Sequence, residues 1–379
     1  MRAMLMGTMG TGVLIFSAVA GFAQQVGDTL IVGTDQAKVF VDNNVVGTAE
    51  IGDLLRIRKV SSDWCLVTVP KKRKEKTDIE GWVNRIDLVS RGNALEHFSY
   101  KIRSKPTARL HDIRGNIWYW NGKFEPAIND FTEAIRLDPF LVAARVHRGI
   151  VRSGKGESEE ALADFNDAVK LDPADHLPWF HRGREWSRQR EYDKAIADLS
   201  EAIGIDPEYA TAHWERGFAW LAMGEHDKAL VDLDEEIRIN PNYAPAYSLR
   251  GGVRNEIEEY ERAIADFTES IRLEPKHIAA RNSLAWLLAT CPNDKFRDGK
   301  QAVELATKLC ESARWKDASL IDTLGAAHAE TGDFMAAIEM QRLAIELASP
   351  KEKTEMKARL KSYQAGRPLR LKAKKSSRG

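Results

Sequence analysis

Apolar residues between Leu177 and Gln189 fall at helical spacing, and they do so again between Asp193 and Ile205. The pattern predicts two helices joined by a short polar turn. It recurs along the chain with fixed punctuation. Asp138-Pro139, Asp172-Pro173, Asp206-Pro207, Asn240-Pro241 and Glu274-Pro275 stand 34 residues apart. So do Gly115, Gly149, Gly183, Gly217 and Gly251, and so do Ala127, Ala161, Ala195, Ala229 and Ala263. One interval shared by three residue types is a repeat architecture.

Each residue type has a steric reason. A glycine early in the first helix and an alanine early in the second let the two backbones approach closely. A larger side chain there would overpack the contact at a cost of about 1–3 kcal/mol. Phe131, Phe165, Leu199, Leu233 and Phe267 fill the space beyond. The acidic or amide residue before each proline is pushed out of the helical region, and proline supplies no amide donor, so the second helix stops there. One such hairpin cannot bury both its faces, whereas a stack of them buries a continuous core.

With these residues in place, 108–277 resembles five tetratricopeptide repeats. The aromatic that this family carries late in the first helix is present as Trp118, Trp186 and Trp220, and is replaced by Arg152 and Arg254. Two divergent repeats are read over 278–350, a capping helix over 351–365 and a basic disordered tail over 366–379. Residues 93–106 read as a lone opening helix, since Ala94 and Phe98 repeat the spacing of Ala127 and Phe131.

Upstream, 26–90 reads as short β-branched strands separated by turns. Val45-Val46-Gly47-Thr48, Gly52-Asp53-Leu54-Leu55, Trp64 and Gly81-Trp82-Val83 resemble a bacterial SH3-like domain. The expected fold is therefore multidomain: a small all-β SH3-like barrel followed by an all-α superhelical solenoid. Lys71, Lys72, Arg73 and Lys74 form a basic run between two strands, either a contact for an anionic polymer or a solvated loop. Trp64 and Trp82 either line a peptide groove or close the small core.

Residues 1–23 read as a signal peptide. Arg2 precedes an apolar run, and Gly21-Phe22-Ala23 offers small residues before Gln24. Export to the periplasm or cell envelope is the expectation, with an uncleaved N-terminal membrane anchor as the alternative. No cysteine near this boundary offers a lipid attachment point.

Composition narrows the partners. The 379 residues carry 56 basic and 56 acidic side chains, a net charge of +0, which gives no general attraction for nucleic acid. Three cysteines, Cys65, Cys291 and Cys310, are too few for a disulfide framework. About 16 Å of helical rise separates Gly299 from Cys310, so Cys291 and Cys310 are not expected to bond within one chain. The nine histidines form no zinc spacing, and neither a phosphate-binding glycine loop nor a nucleophile elbow is present. No enzyme, cofactor or metal is expected.

Periodic charges read as structure. Arg114, Arg148, Arg182, Arg216 and Arg250 recur at the repeat interval, as do Asp130, Asp164, Asp198, Asp232 and Asp266. Helix-hairpin geometry predicts an Arg–Asp ladder, worth about 0–1 kcal/mol for each exposed pair. In the resembled family the first helices line the concave groove. Carrying over their second, fifth, ninth, twelfth and thirteenth positions selects Trp120, Phe180, Arg184, Arg188, Trp214, Phe218, Asn255 and Asn282. Trp214 and Phe218 share one helix face, either as an aromatic patch beside the basic Arg184 and Arg188 or as core. The side chains with which some family members clamp a C-terminal carboxylate are not at matching positions. The reading is a non-enzymatic exported scaffold that holds a protein or peptide segment in the groove, with the barrel as a second binding module. The alternative is a cell-wall binding protein in which the repeats are a spacer.

Overall fold

The computed structural model describes residues 29–34, 36–41, 44–60, 64–69, 79–84 and 88–371. The expected leader at 1–23, the basic run Lys71 to Lys74 and the tail beyond Leu371 lie outside the described residues. Two compact units divide the chain, one ending at Glu157 and the other beginning at Ser158.

The first unit opens with seven strands: β1 (Thr29–Val32), β2 (Gln36–Val41), β3 (Asn44–Glu50), β4 (Leu54–Val60), β5 (Trp64–Val69), β6 (Ile79–Asn84) and β7 (Leu88–Ser90). They form one antiparallel sheet in the order β3-β2-β6-β5-β4-β1-β7. Strand alternation sends every second residue inward, so Ala37, Val39, Leu55, Ile57, Cys65, Val67 and Val83 make the core. The register sets Trp82 opposite Leu66 on one side and Phe40 on the other, and Trp64 opposite Asn84.

Helix α1 (Arg91–Ser104) follows the last strand without a linker, and α2 (Ala108–Trp120), α3 (Phe124–Leu137) and α4 (Val142–Lys155) complete the unit. Ile31 and Ile51 of the β region pack with Ala94 and Phe98 of α1 and with Leu110, Ile113 and Ile117 of α2. His97 Nε2 lies 3.0 Å from the Gly33 carbonyl. A Cβ on Gly33 would sit 2.5 Å from Val89, so the chain crosses there only as glycine.

The second unit is helical: α5 (Ser158–Leu171), α6 (His176–Arg188), α7 (Tyr192–Ile205), α8 (Ala210–Ala222), α9 (His226–Ile239), α10 (Ala244–Glu256), α11 (Tyr260–Leu273), α12 (Ile278–Thr290), α13 (Gly299–Ser312), α14 (Ala318–Glu330), α15 (Phe334–Leu347) and α16 (Lys353–Gln364). From α6 to α15 these form antiparallel pairs. Within the pairs, Gly183 faces Leu199 and Gly251 faces Phe267, where an added Cβ would meet the larger side chain at 2.9 Å in each case. Ala195, Ala229, Ala263, Leu199, Leu233 and Phe267 are buried. The aspartate before a closing proline also caps the turn, since Asp172 and Asp206 accept from the amides of Ala174 (3.0 Å) and Glu208 (3.2 Å).

A left-handed residue makes the turn inside five of the pairs. Gly122, Gly224 and Gly332 supply it in three pairs, and Arg190 (φ 64°) and Glu258 (φ 67°) hold the same conformation at the matching positions.

Arginine and aspartate meet across four of the helix pairs, and these ion pairs are not exposed as the expectation of about 0–1 kcal/mol assumed. Two hydrogen bonds join Arg182 to Asp198 (2.7 and 2.7 Å), Arg216 to Asp232 (2.8 and 2.7 Å) and Arg250 to Asp266 (3.0 and 2.7 Å). Arg114 and Asp130 do the same in the first unit at 2.7 and 2.7 Å. The aspartates are buried. The third guanidinium nitrogen reaches back to the preceding second helix, from Arg182 to Asn166 (2.7 Å), Arg216 to Ser200 (2.9 Å) and Arg250 to Asp234 (2.6 Å). Each arginine thus ties its own pair to the one before.

Cys65, Cys291 and Cys310 are buried free thiols. Residues 366–371, expected to belong to a disordered tail, instead fold back onto the last helices: Leu369 joins an apolar cluster with Tyr363, Ala329 and Ala337.

Candidate functional site

The first helices α6 and α8 carry five of the expected groove residues: Phe180, Arg184, Arg188, Trp214 and Phe218. Phe180 is not a groove residue: it is buried, packed on Leu199 and Ala212 and edge-on to Tyr209 at 4.9 Å. Tyr209 immediately precedes α8 and closes over Phe180, which sequence spacing could not foresee. Arg184, one turn on, stands 5.6 Å over the Phe180 ring and pairs with Glu215 of α8 at 2.7 Å. The expected basic patch is therefore an ion pair at this point. Burial pushes the Glu215 carboxyl above its ordinary value although Arg184 opposes it. Burial also raises the Tyr209 hydroxyl to about 12.

Trp214 and Phe218 share a face of α8, their rings stacked 6.3 Å apart and 18° from parallel. The two rings differ in burial. Trp214 belongs to the core with Leu233 and Val253 and lies edge-on to Tyr243 at 6.4 Å. Its indole nitrogen is buried with no hydrogen-bond partner. Phe218 is 39% exposed, enough to offer a ring to a ligand. Tyr209 and Tyr243, each just ahead of a first helix, repeat one packing role. Their spacing of 34 residues was the signal that would have found them.

The other expected residues are separate. Arg188 turns toward Glu185 at 3.7 Å. Asn255 and Asn282 are half-buried on α10 and α12, and the Asn282 carbonyl oxygen has no partner. Trp120 belongs to the first unit and is 41% exposed.

The first unit holds a cleft of about 690 Å³ lined by Gln36, Ile51, Tyr100, Lys101 and Arg109, with Arg109 paired to Glu50 at 2.7 Å. Among the described residues no group of three His, Cys, Asp or Glu side chains is placed to hold a metal ion. No described helix is long and apolar enough to cross a membrane.

Two repeat-family patterns match the chain, one described as tetratricopeptide repeat over 119–176 and one as TPR repeat over 188–224. No curated protein sequence matches it. A tetratricopeptide repeat protein from Parabacteroides merdae is similar in structure, at 17% identity and a TM-score of 0.51, over 72% of this chain and 100% of that one. MamA is 26% identical at a TM-score of 0.40, over 43% of this chain and 95% of its own. YrrB, described as a TPR protein with an unusual peptide-binding site, is 20% identical at 0.42, over 50% of this chain and 98% of its own. The periodic glycines, alanines and prolines, the helix pairs they build and the two matched patterns agree: behind a small N-terminal β region, this chain carries a solenoid of tetratricopeptide repeats.

Proposed function

We propose that the protein is a non-enzymatic, exported scaffold that binds protein segments along the first-helix face of its repeats. The observation that carries this reading is Phe218, a large ring left exposed on a surface whose neighbours are fixed: Trp214 stacks beneath it, and Arg184 is held by Glu215 one pair away. A rigid aromatic beside a charged pair is the kind of anchor that protein interfaces use. Phe218, Arg184 and Arg188 are the contacts assigned to the ligand. Trp214 supports them from the core, and Asn255 and Asn282 extend the face. The β region, read as SH3-like, is the second binding module, and the leader at 1–23 directs export.

The test is affinity capture from an envelope extract with residues 24–379 as bait, compared with Phe218→Ala. That variant removes an exposed ring, so its urea midpoint should match the parent. A partner captured by the parent and lost by the variant supports the face as the working site. Equal capture by both overturns it, and retention on cell-wall sacculi alone transfers the function to the β region. An N-terminus at Gln24 in the protein recovered from the periplasm checks export.

A further inference from the structure

The chain's last described residues behave as a ligand of its own helices. Gly366, left-handed at φ 65°, reverses the chain after α16, and the Arg367 amide bonds to the Ser362 carbonyl at 3.0 Å. Pro368 keeps the next step extended. Leu369 then enters the apolar cluster of Ala329, Ala337 and Tyr363, bordered by Phe334 and Ile338. Arg370 pairs with Glu330, the last residue of α14. The Leu371 amide donates to the Thr290 carbonyl at 3.1 Å. Thr290 ends α12, where carbonyls lack partners within the helix. The arm therefore runs from α16 over the end of α14 to the end of α12, along the C-terminal ends of the first helices.

The receiving groups are held without the arm. Glu330 spends one carboxylate oxygen on Arg297 Nε at 3.0 Å, leaving the other for Arg370. Arg297 is itself fixed by the carbonyls of Cys291 (3.0 Å) and Pro292 (3.2 Å). Glu330 is only 13% exposed, so its free oxygen is aimed rather than mobile. An apolar pocket, a fixed carboxylate and a helix-end carbonyl that accepts from an extended backbone are together the parts of a peptide site.

We propose that the ends of α12 and α14, closed by α16, form a peptide site filled in cis by Arg367–Leu371, and that its external ligand is an extended segment of the same leucine–arginine–leucine chemistry, which competes with the arm. None of its residues is Phe218, Trp214 or Arg184, so this site stands or falls separately from the face proposed above.

The probe is a fluorescein-labelled peptide of the sequence of residues 366–379, followed by anisotropy on the full chain. A tethered arm presents itself at millimolar effective concentration, so the parent should bind the probe weakly. Leu369→Asp with Arg370→Glu in the protein expels the arm and should tighten probe binding by about tenfold or more. A probe carrying Leu369→Asp should not bind, and Glu330→Gln in the opened protein should weaken binding and its salt dependence. Equal binding by parent and opened protein, or by both probes, overturns the proposal. If the opened protein unfolds, the parent still decides. Excess unlabelled peptide should shift the Leu369–Leu371 amide resonances of isotope-labelled parent protein to free positions, and unshifted resonances at millimolar peptide would refute the site.

Discussion

Asp232→Ala should cost far more than a surface charge would. Its carboxylate is 3% exposed and accepts three hydrogen bonds: two from Arg216, at 2.8 and 2.7 Å, and one from His213 Nδ1 at 3.3 Å. Removing it leaves a guanidinium only 21% exposed with no anion beside it. Breaking a buried pair from one side costs about 3–5 kcal/mol. Arg216 keeps its bond to Ser200 and some water, which places the loss near the low end, about 3 kcal/mol. The assay is urea denaturation followed by circular dichroism, with hydrogen exchange locating the loss in α8 and α9, since a repeat array need not unfold in one step. Glu269→Ala is the comparator. Glu269 pairs with Arg272 on an exposed helix face, and its removal should leave the midpoint unmoved. If Asp232→Ala shifts the midpoint no more than Glu269→Ala, the bridged arginines do not hold the array. Arg216→Met with Asp232→Leu should recover much of the loss, because no unpaired charge remains.

Stability should fall as pH rises above neutral. Burial lowers the His213 pKa, but its bonds to Asp232 and to the Pro207 carbonyl outweigh that and raise it, so its contribution is whole below about 6.5 and lost as pH passes the raised value. Burial raises Glu236 to about 7, which acts in the same direction, so the urea midpoint should drop between pH 6 and 8.5 and Glu236→Gln should flatten the drop. Gly251→Ala drives a methyl to 2.9 Å from Phe267 and should destabilise by about 1–3 kcal/mol. Gly252→Ala, next in the same helix, meets nothing within 4 Å and should stabilise by about 0.5–1 kcal/mol; thermal melts of the two separate packing from helix propensity. Arg190→Gly relieves a left-handed side-chain-bearing residue and should raise stability by about 1 kcal/mol, read the same way.

What the sequence made legible is what one position demands by size. Gly183 and Ala195 recur because only small side chains let two helices meet, and the Leu199 position recurs as leucine or phenylalanine to fill the space beyond, so the hairpins could be read directly. The pairing of Arg216 with Asp232 was legible from period alone. Its burial was not, because period sets the two residues on facing helices without saying how closely the rest packs around them. The bond of each arginine to the preceding helix was hidden because Asn166, Ser200 and Asp234 share no residue type, only an acceptor oxygen. In the candidate site, Phe180 and Phe218 look alike in sequence, and Tyr209 buries the first while the second stays open. The arm was expected to be disordered, as part of a basic tail. Pro368-Leu369-Arg370-Leu371 carried the contrary signal, two leucines alternating with a charge.

The arginine bridges bear on how such a chain can change length. Arg216 reaches 16 residues back to Ser200 and 16 forward to Asp232, and Arg182 and Arg250 span the same distances. Excising residues 210–243 would set Arg250 16 residues after Ser200, where it finds a hydroxyl in place of the lost Asp234 carboxylate. A duplication of the same segment would be absorbed as readily. Loss or gain of a whole unit therefore leaves every bridging arginine with its own aspartate, whereas a shorter excision puts both bridge contacts out of step, and the bridges let recombination between repeats lengthen or shorten this protein in steps of one hairpin.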